Sequence, residues 1–468
     1  MSRIVIIGAG PAGYEAALVA AQLGADVTVV DAEGAGGGCV LHDCVPSKTF
    51  IASADVLTAY RGTERFGIHT PGGLGSIMVD AVAVHDRVRA LAAAQSRDIH
   101  AKLVKAGVRV VHGVARLGSD APGHHHPVEL TPTDGPPEQL AADVVLVATG
   151  ATPRVLPDAA PDGARVLTWR QIYDLTALPD HLVVVGSGVT GAEFASGYLA
   201  MGVPVTLVSS RDRVMPHEDP DAAMMIERVF RDRGMVVLSN SRAASVRSTG
   251  EGVRVTLTDG RTVTGSHALM AVGSVPATGS LGLAGYGVAV EPDGRVPVDR
   301  VSRTNVPGIY AAGDCTGVLP LASVAAMQGR IAMWHALGEA VSPLRLRTVA
   351  ANVFTDPELA TVGVTQADVD SGRASARERM LPLAGNPRAK MAGISDGFVK
   401  LFSRPASGVV IGGVVVAPKA SELILPISLA VSNRLTVDEL AQTITIYPSL
   451  SGSVAEAARQ LMEHDSEP

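Results

Sequence analysis

Arg3-Ile4-Val5-Ile6-Ile7-Gly8-Ala9-Gly10-Pro11-Ala12-Gly13 decides the fold. An apolar run over residues 3–7 ends in G-x-G-x-x-G, and an alanine-rich segment from Tyr14 to Leu23 follows, stopped by Gly24. Val27 to Val30 then reads as a second strand that ends on an acid, Asp31. Strand, glycine turn, helix and strand in this order, with a carboxylate at the far end, make a Rossmann-like dinucleotide-binding unit. Gly8, Gly10 and Gly13 let the helix N-terminus approach a pyrophosphate, whose charge the helix dipole favours.

The unit recurs. Leu182 to Val185 leads into Gly186-Ser187-Gly188-Val189-Thr190-Gly191, then a helix from Ala192 to Ala200, a stop at Gly202 and a strand from Val205 to Val208. Both copies keep all three glycines, so two nucleotide ligands are expected. Between them, residues 80–105 predict a helix and residues 108–155 predict short strands with turns. Val144 to Val147 runs into Ala148-Thr149-Gly150, and Met270-Ala271-Val272-Gly273 closes the second unit in a similar way. Gly308 to Asp314 returns as a buried strand ending in a small-residue turn with a carboxylate. After about residue 346 the texture changes. Strands over 349–354, 398–402 and 409–416 and helices over 420–432 and 437–442 predict a separate α+β domain. The acidic end, Glu463 to Pro468, is expected to fray.

Composition excludes several classes. At 468 residues the chain is about three typical domains long. Its net charge of -7 argues against nucleic acid as a partner, and an aromatic content of 3% is too low for base-stacking platforms. Three cysteines exclude a disulfide-stapled secreted scaffold and point to a reducing, cytoplasmic setting. The apolar run at the N-terminus is too short for a signal peptide. The uncharged stretch from Val263 to Val290 is broken by Gly, Pro and Ser, so no membrane segment is expected. His124-His125-His126 lies among Gly and Pro and reads as a solvated loop; its side chains diverge and no metal site is expected there.

Cys39 and Cys44 lie five positions apart in Gly36-Gly37-Gly38-Cys39-Val40-Leu41-His42-Asp43-Cys44-Val45-Pro46-Ser47-Lys48. Zinc needs four ligands, and the only other thiol is the distant Cys315. Pro46 suits a first helical turn, which places Cys44 near a helix N-terminus where a thiolate is stabilised, with Lys48 adding positive charge one turn on. A redox-active pair and two unlinked core cysteines both remain open on spacing alone.

These motifs and their order resemble the pyridine nucleotide–disulfide oxidoreductases over essentially the whole chain. The resemblance implies an α/β fold with two Rossmann-like dinucleotide-binding domains and a C-terminal α+β dimerisation domain. It assigns residues 1–155 and 275–345 to FAD, 156–274 to NAD(P) and 346–468 to a symmetric homodimer, with Val353 to Glu358 resembling the last domain's opening motif. Asp31 would meet the FAD ribose and Asp314 the ribityl chain, with Gly113, Thr149, Gly150, Gly313, Leu321 and Ala322 completing that site. Gly186, Gly188, Val189, Gly191 and Gly273 would hold NADPH or NADH. Lys48 would lie beside flavin N5, paired with Glu193. Cys44 would face the flavin while Cys39 exchanges with a disulfide.

Departures from the family pattern decide the expected activity. The usual C-x-N-x-G-C loop has Leu41 and Asp43 in place of Asn and Gly, and Asp43 disfavours a Cys44 thiolate. Where disulfide reductases carry a His-Pro…Glu acid–base element, this chain has Tyr447 and Gly452. A tyrosine with a pKa near 10 is a poor base at neutral pH, and acid–base assistance is worth about 10²- to 10⁴-fold. The cysteine loop also resembles the lipoamide-dehydrogenase-like NAD(P)H:quinone reductases of actinobacteria, so a small-molecule quinone acceptor is expected. Ser209, Ser210, Arg211 and Arg213 stand where an acid would reject a 2′-phosphate, so NADPH is expected to be accepted, with NADH also used. The alternatives are a dihydrolipoamide-dehydrogenase-like disulfide or metal-ion reductase using Cys39 and Cys44, and a flavoprotein that senses NAD(P)H by binding a partner.

Overall fold

Five parallel strands carry the first glycine unit. In the computed structural model, which describes residues 1–69, 77–118 and 125–462, they run in the order Ile309–Ala311, Val144–Val147, Arg3–Ile7, Asp26–Asp31 and Arg109–Leu117. His126–Pro132 and Glu138–Ala142 extend the sheet as an antiparallel hairpin. Ile4, Ile6, Val29 and Leu146 are fully buried, as a parallel sheet covered on both faces requires. The helix Pro11–Gln22 begins earlier than expected because Pro11 occupies a first-turn position, where its missing N–H costs nothing. It packs on the helix Ala322–Ala336, and Arg330 reaches across to Glu15 at 2.7 Å.

The second unit is an all-parallel sheet ordered Val236–Leu238, Val205–Val208, Leu182–Val185, His267–Met270 and Val166–Thr168. The chain enters and leaves it through paired antiparallel strands, Ala151–Pro153 and Ser274–Pro276. Phe50, from the helix Cys44–Arg61, stacks on Tyr198 of the second unit's helix with ring centroids 4.7 Å apart. One apolar core therefore runs from the cysteine helix into the second unit.

The C-terminal sheet is antiparallel, ordered Ala350–Val353, Glu358–Gly363, Val410–Ala417, Phe398–Ser403 and Arg377–Pro382. Two of these strands escape the sequence reading. Glu358–Gly363 mixes small and charged residues, and Arg377–Pro382 is a charged edge strand, whose exposed face carries little apolar pattern. The helix expected over 420–432 is two pieces, Ala420–Leu423 and Leu425–Asn433, with Pro426 in the first turn of the second. Buried Lys400 ties this sheet to the second unit through Asp221 at 2.7 Å and Asp219 at 3.2 Å.

The histidine run is corrected. His126 is buried at the start of its strand and its Nδ1 lies 3.0 Å from the Tyr286 hydroxyl, because the core-facing register begins inside the run. His125 pairs with Asp143 at 2.6 Å, and His124 lies outside the described residues, as do Glu463 to Pro468. Among the described residues no group of three His, Cys, Asp or Glu could hold a metal ion. Among them, too, no helix is long and apolar enough to cross a membrane.

Candidate active site

A cavity of about 340 Å³ opens at the C-terminal ends of the first sheet's strands. Gly8, Gly10, Asp31, Gly113, Thr149, Gly150, Gly313, Asp314 and Ala322 line it, together with Cys39 and Cys44. Gly8 has φ +105°, and a Cβ there would collide with the Ala148 carbonyl, so only glycine fits. A Cβ on Gly10 would meet nothing within 4 Å, and Gly10 caps the helix Pro11–Gln22. That open cradle at a helix N-terminus suits an anion. Gly13 does not line the cavity; it lets the helix lie against the Gly8 carbonyl.

Asp31 accepts backbone N–H groups from Ala9 at 2.5 Å, Glu33 at 2.8 Å and Gly34 at 2.7 Å. The acid thus pins the glycine turn to the next loop while facing the cavity. Thr149 Oγ1 is buried without a partner, and the Asp314 carboxyl also makes no hydrogen bond to a described residue. Burial raises the Asp314 pKa. An open cradle, one unsatisfied buried hydroxyl and a half-buried carboxyl without a protein partner fit a dinucleotide carrying a pyrophosphate and hydroxyls. Leu321 caps the helix Ala322–Ala336 between Pro320 and Ala322, both of which line the cavity.

Sequence reasoning missed Glu33 and Arg170. Arg170 Nη1 lies 2.6 Å from Glu33 Oε1, and His42 Nε2 lies 3.2 Å from Glu33 Oε2. His42, burial notwithstanding, and Arg170 hold the Glu33 carboxyl down at about 2. Arg170 comes from the second unit, just after Val166–Thr168, so no local motif marks it. The signal is pairing in space between residues 137 apart.

Cys39 sits in the short helix Gly37–Leu41 and Cys44 is the first residue of the helix Cys44–Arg61. Both are free thiols, hydrogen-bonded to one another. That bond favours a thiolate on Cys39, whose pKa falls, and keeps the proton on Cys44, whose pKa is raised further by burial and by Asp43. The expected helix stabilisation of a Cys44 thiolate is therefore outweighed, while the expected effect of Asp43 has the direction found. Buried Cys315 hydrogen-bonds the Ala312 carbonyl, and burial pushes its thiol up to about 12.

Lys48 Nζ lies 2.8 Å from Glu193 Oε2, and Glu193 Oε1 accepts the Phe354 N–H at 2.9 Å. The ammonium also stands 5.0 Å from the Phe354 ring centroid. Burial opposes its charge, but Glu193, Cys44 and Asp43 outweigh burial and raise the Lys48 pKa.

The second glycine turn repeats the first. Gly188 caps the helix Val189–Ala200 and faces open space, while a Cβ on Gly186 would strike the Ala271 carbonyl and one on Gly191 the Gly186 carbonyl. Val189 is partly exposed at the helix start, and Gly273 faces open space after the strand His267–Met270. Ser209 is corrected. It is fully buried, accepting from the Ser187 hydroxyl at 2.7 Å and donating to the Arg211 carbonyl at 3.1 Å, so exposed Ser210 and Arg211 and half-exposed Arg213 are the donors left to a ligand. Ile444, Ile446 and Tyr447 are exposed at 99%, 80% and 81%.

Two glycine-cradled nucleotide units meeting at a thiol pair and a lysine–glutamate pair define a nucleotide-dependent oxidoreductase. Residues 2–329 match the family described as pyridine nucleotide-disulphide oxidoreductase and residues 349–458 match its dimerisation domain; the chain belongs to this family. It is 60% identical to a Mycobacterium tuberculosis protein named NAD(P)H dehydrogenase (quinone), over 99% of this chain and 95% of that one. It is 35% identical to a dihydrolipoyl dehydrogenase of Chlorobaculum tepidum, over 97% of this chain and 96% of that one. The crystal structure of LpdA from Mycobacterium tuberculosis superposes with a TM-score of 0.94 at 60% identity, covering 99% of this chain and 100% of that one.

Proposed function

We propose that this protein is a cytoplasmic, homodimeric, FAD-dependent NAD(P)H:quinone oxidoreductase. One observation carries the reading: Tyr447 and Gly452 replace the acid–base pair of thiol exchange, beside a Cys44 thiol that keeps its proton. The 60% identity to a protein named NAD(P)H dehydrogenase (quinone) supports the same conclusion. The homodimer is supported by the dimerisation-domain match and by the exposed apolar residues Ile444 and Ile446.

The first cavity takes FAD, with the pyrophosphate at the Gly10 cradle, Asp31 at the ribose end and Asp314 and Thr149 meeting hydroxyls. Bound there, FAD supplies the two-electron relay between nicotinamide and acceptor. Gly188 receives the pyrophosphate of NADPH or NADH, and Arg211 with Ser210 meets a 2′-phosphate. Lys48 keeps a fixed positive charge where negative charge develops, and Glu193 orients it. Steady-state turnover with NADPH and a benzoquinone tests the proposal. Brisk turnover on lipoamide with none on any quinone overturns it.

The lowered Cys39 pKa favours a second reading, a disulfide or metal-ion reductase working through the thiol pair. Cys44→Ser separates the two. It abolishes dithiol chemistry and leaves quinone turnover standing if the thiols are bystanders.

A further inference from the structure

Reduction of a quinone by NAD(P)H consumes a proton that the nicotinamide does not carry. Quinone, NAD(P)H and one proton give hydroquinone and NAD(P)⁺; both electrons and one hydrogen arrive as hydride, and an acid must supply the other hydrogen. Such an acid stands within hydrogen-bond reach and holds its proton near neutral pH.

Few groups in the cavity or beside it qualify. Lys48 is committed to Glu193, and Glu193 to Lys48 and the Phe354 N–H. The Cys44 proton is engaged with Cys39. Asp314 is assigned above to the cofactor's hydroxyls. Asp43 is different. It occupies the position before the helix Cys44–Arg61, where an aspartate commonly accepts a backbone N–H, yet its side chain caps nothing. The carboxyl makes no hydrogen bond to a described residue, and it lines the cavity alongside both cysteines. A half-buried, unpartnered carboxyl close to other acids is less favourable as an anion than as an acid. Burial raises its pKa; Glu193 and Asp314 add to the shift, and Lys48 and Arg170 oppose it.

We propose that Asp43 donates the proton that completes quinone reduction. This rests on the quinone reading above. The Asp43 O–H bond breaks as the hydroquinone O–H bond forms, NAD(P)H provides both electrons, and the carboxylate left behind takes a proton from water. The charged and titratable groups whose field reaches Asp43 are Lys48, Cys39 and Cys44 from its own loop and helix, Glu193 from the second unit's helix, Asp314, Arg170 and Tyr173. The acid form is the competent one, so quinone turnover falls as pH rises through the elevated Asp43 pKa.

The test compares two acceptors on the holoenzyme: a benzoquinone, which needs a proton, and ferricyanide, which takes electrons alone. In Asp43→Asn the ratio of quinone to ferricyanide kcat is expected to fall about 10²-fold and the alkaline limb of the quinone profile to vanish. Asp43→Glu, which restores an acid, is expected to recover most of the ratio. Independently of turnover, the infrared carbonyl band of protonated carboxyls is expected to lose, in Asp43→Asn, a component that titrates above the ordinary carboxylate range. An unchanged ratio, an equal loss with both acceptors, or an alkaline limb that persists in the variant overturns the proposal. A wild-type enzyme that reduces ferricyanide but no quinone overturns the quinone reading itself, and this proposal with it.

Discussion

Glu193 is nearly dry, with its side chain 4% exposed, and depends on Lys48 for its countercharge. Lys48→Met leaves that carboxylate alone. Removing one partner of a fully buried pair costs about 3–5 kcal/mol; with the Lys48 side chain 30% exposed, the expected loss is at most about 3, read by urea denaturation. The same variant is expected to lose about 10²-fold in kcat with NADPH, since a charge aimed at the reacting centre is removed. At Glu33 the expected effect is in pH. Its folded pKa of about 2 lies below the ordinary carboxylate value, so its pairing with His42 and Arg170 stabilises the protein above the unfolded pKa. That contribution is lost as pH falls towards 2. Thermal melts from pH 5 down to pH 2 are expected to show a shallower decline for Glu33→Gln than for the wild type; parallel curves would contradict the assignment.

The two glycine turns are the elements that local spacing makes legible. Three glycines at fixed offsets, an apolar strand before and a small-residue helix after leave few other readings for residues 3–31 and 182–208. Within each turn the glycines differ physically, and the difference is testable. A Cβ at Gly188 meets nothing, while one at Gly191 collides with the Gly186 carbonyl. Gly188→Ala is therefore expected to leave the melting temperature within a degree or two and raise the KM for NADPH about tenfold. Gly191→Ala is expected to cost about 1–3 kcal/mol of stability, as overpacking does. What local spacing could not reveal depends on chain-distant geometry. Arg170 meets Glu33 only because two sheets are docked, and Ser209 is unavailable to a ligand only because Ser187 and the Arg211 carbonyl consume its hydroxyl. The charged edge strand Arg377–Pro382 was equally silent, since its partners lie on one side only.

For the whole molecule, the exposed Ile444 and Ile446 are expected to be covered by a second copy. Ile444→Asp combined with Ile446→Asp is expected to give a monomer in sedimentation equilibrium, with the two nucleotide sites still formed; an unchanged dimer would place the interface elsewhere. The first sheet carries a different consequence. Its outermost parallel strand, Ile309–Ala311, pairs with Val144–Val147 across the whole excursion of the second unit. Gly313, Asp314 and Ala322 follow that strand directly and wall the cavity whose other side is built by residues 8–44. A ribosome that has made the first glycine turn has therefore made only half a binding site. The nascent chain must fold its second unit, or at least wait through its synthesis, before the opening residues have anything to close upon, and cofactor loading belongs to the last third of translation or later.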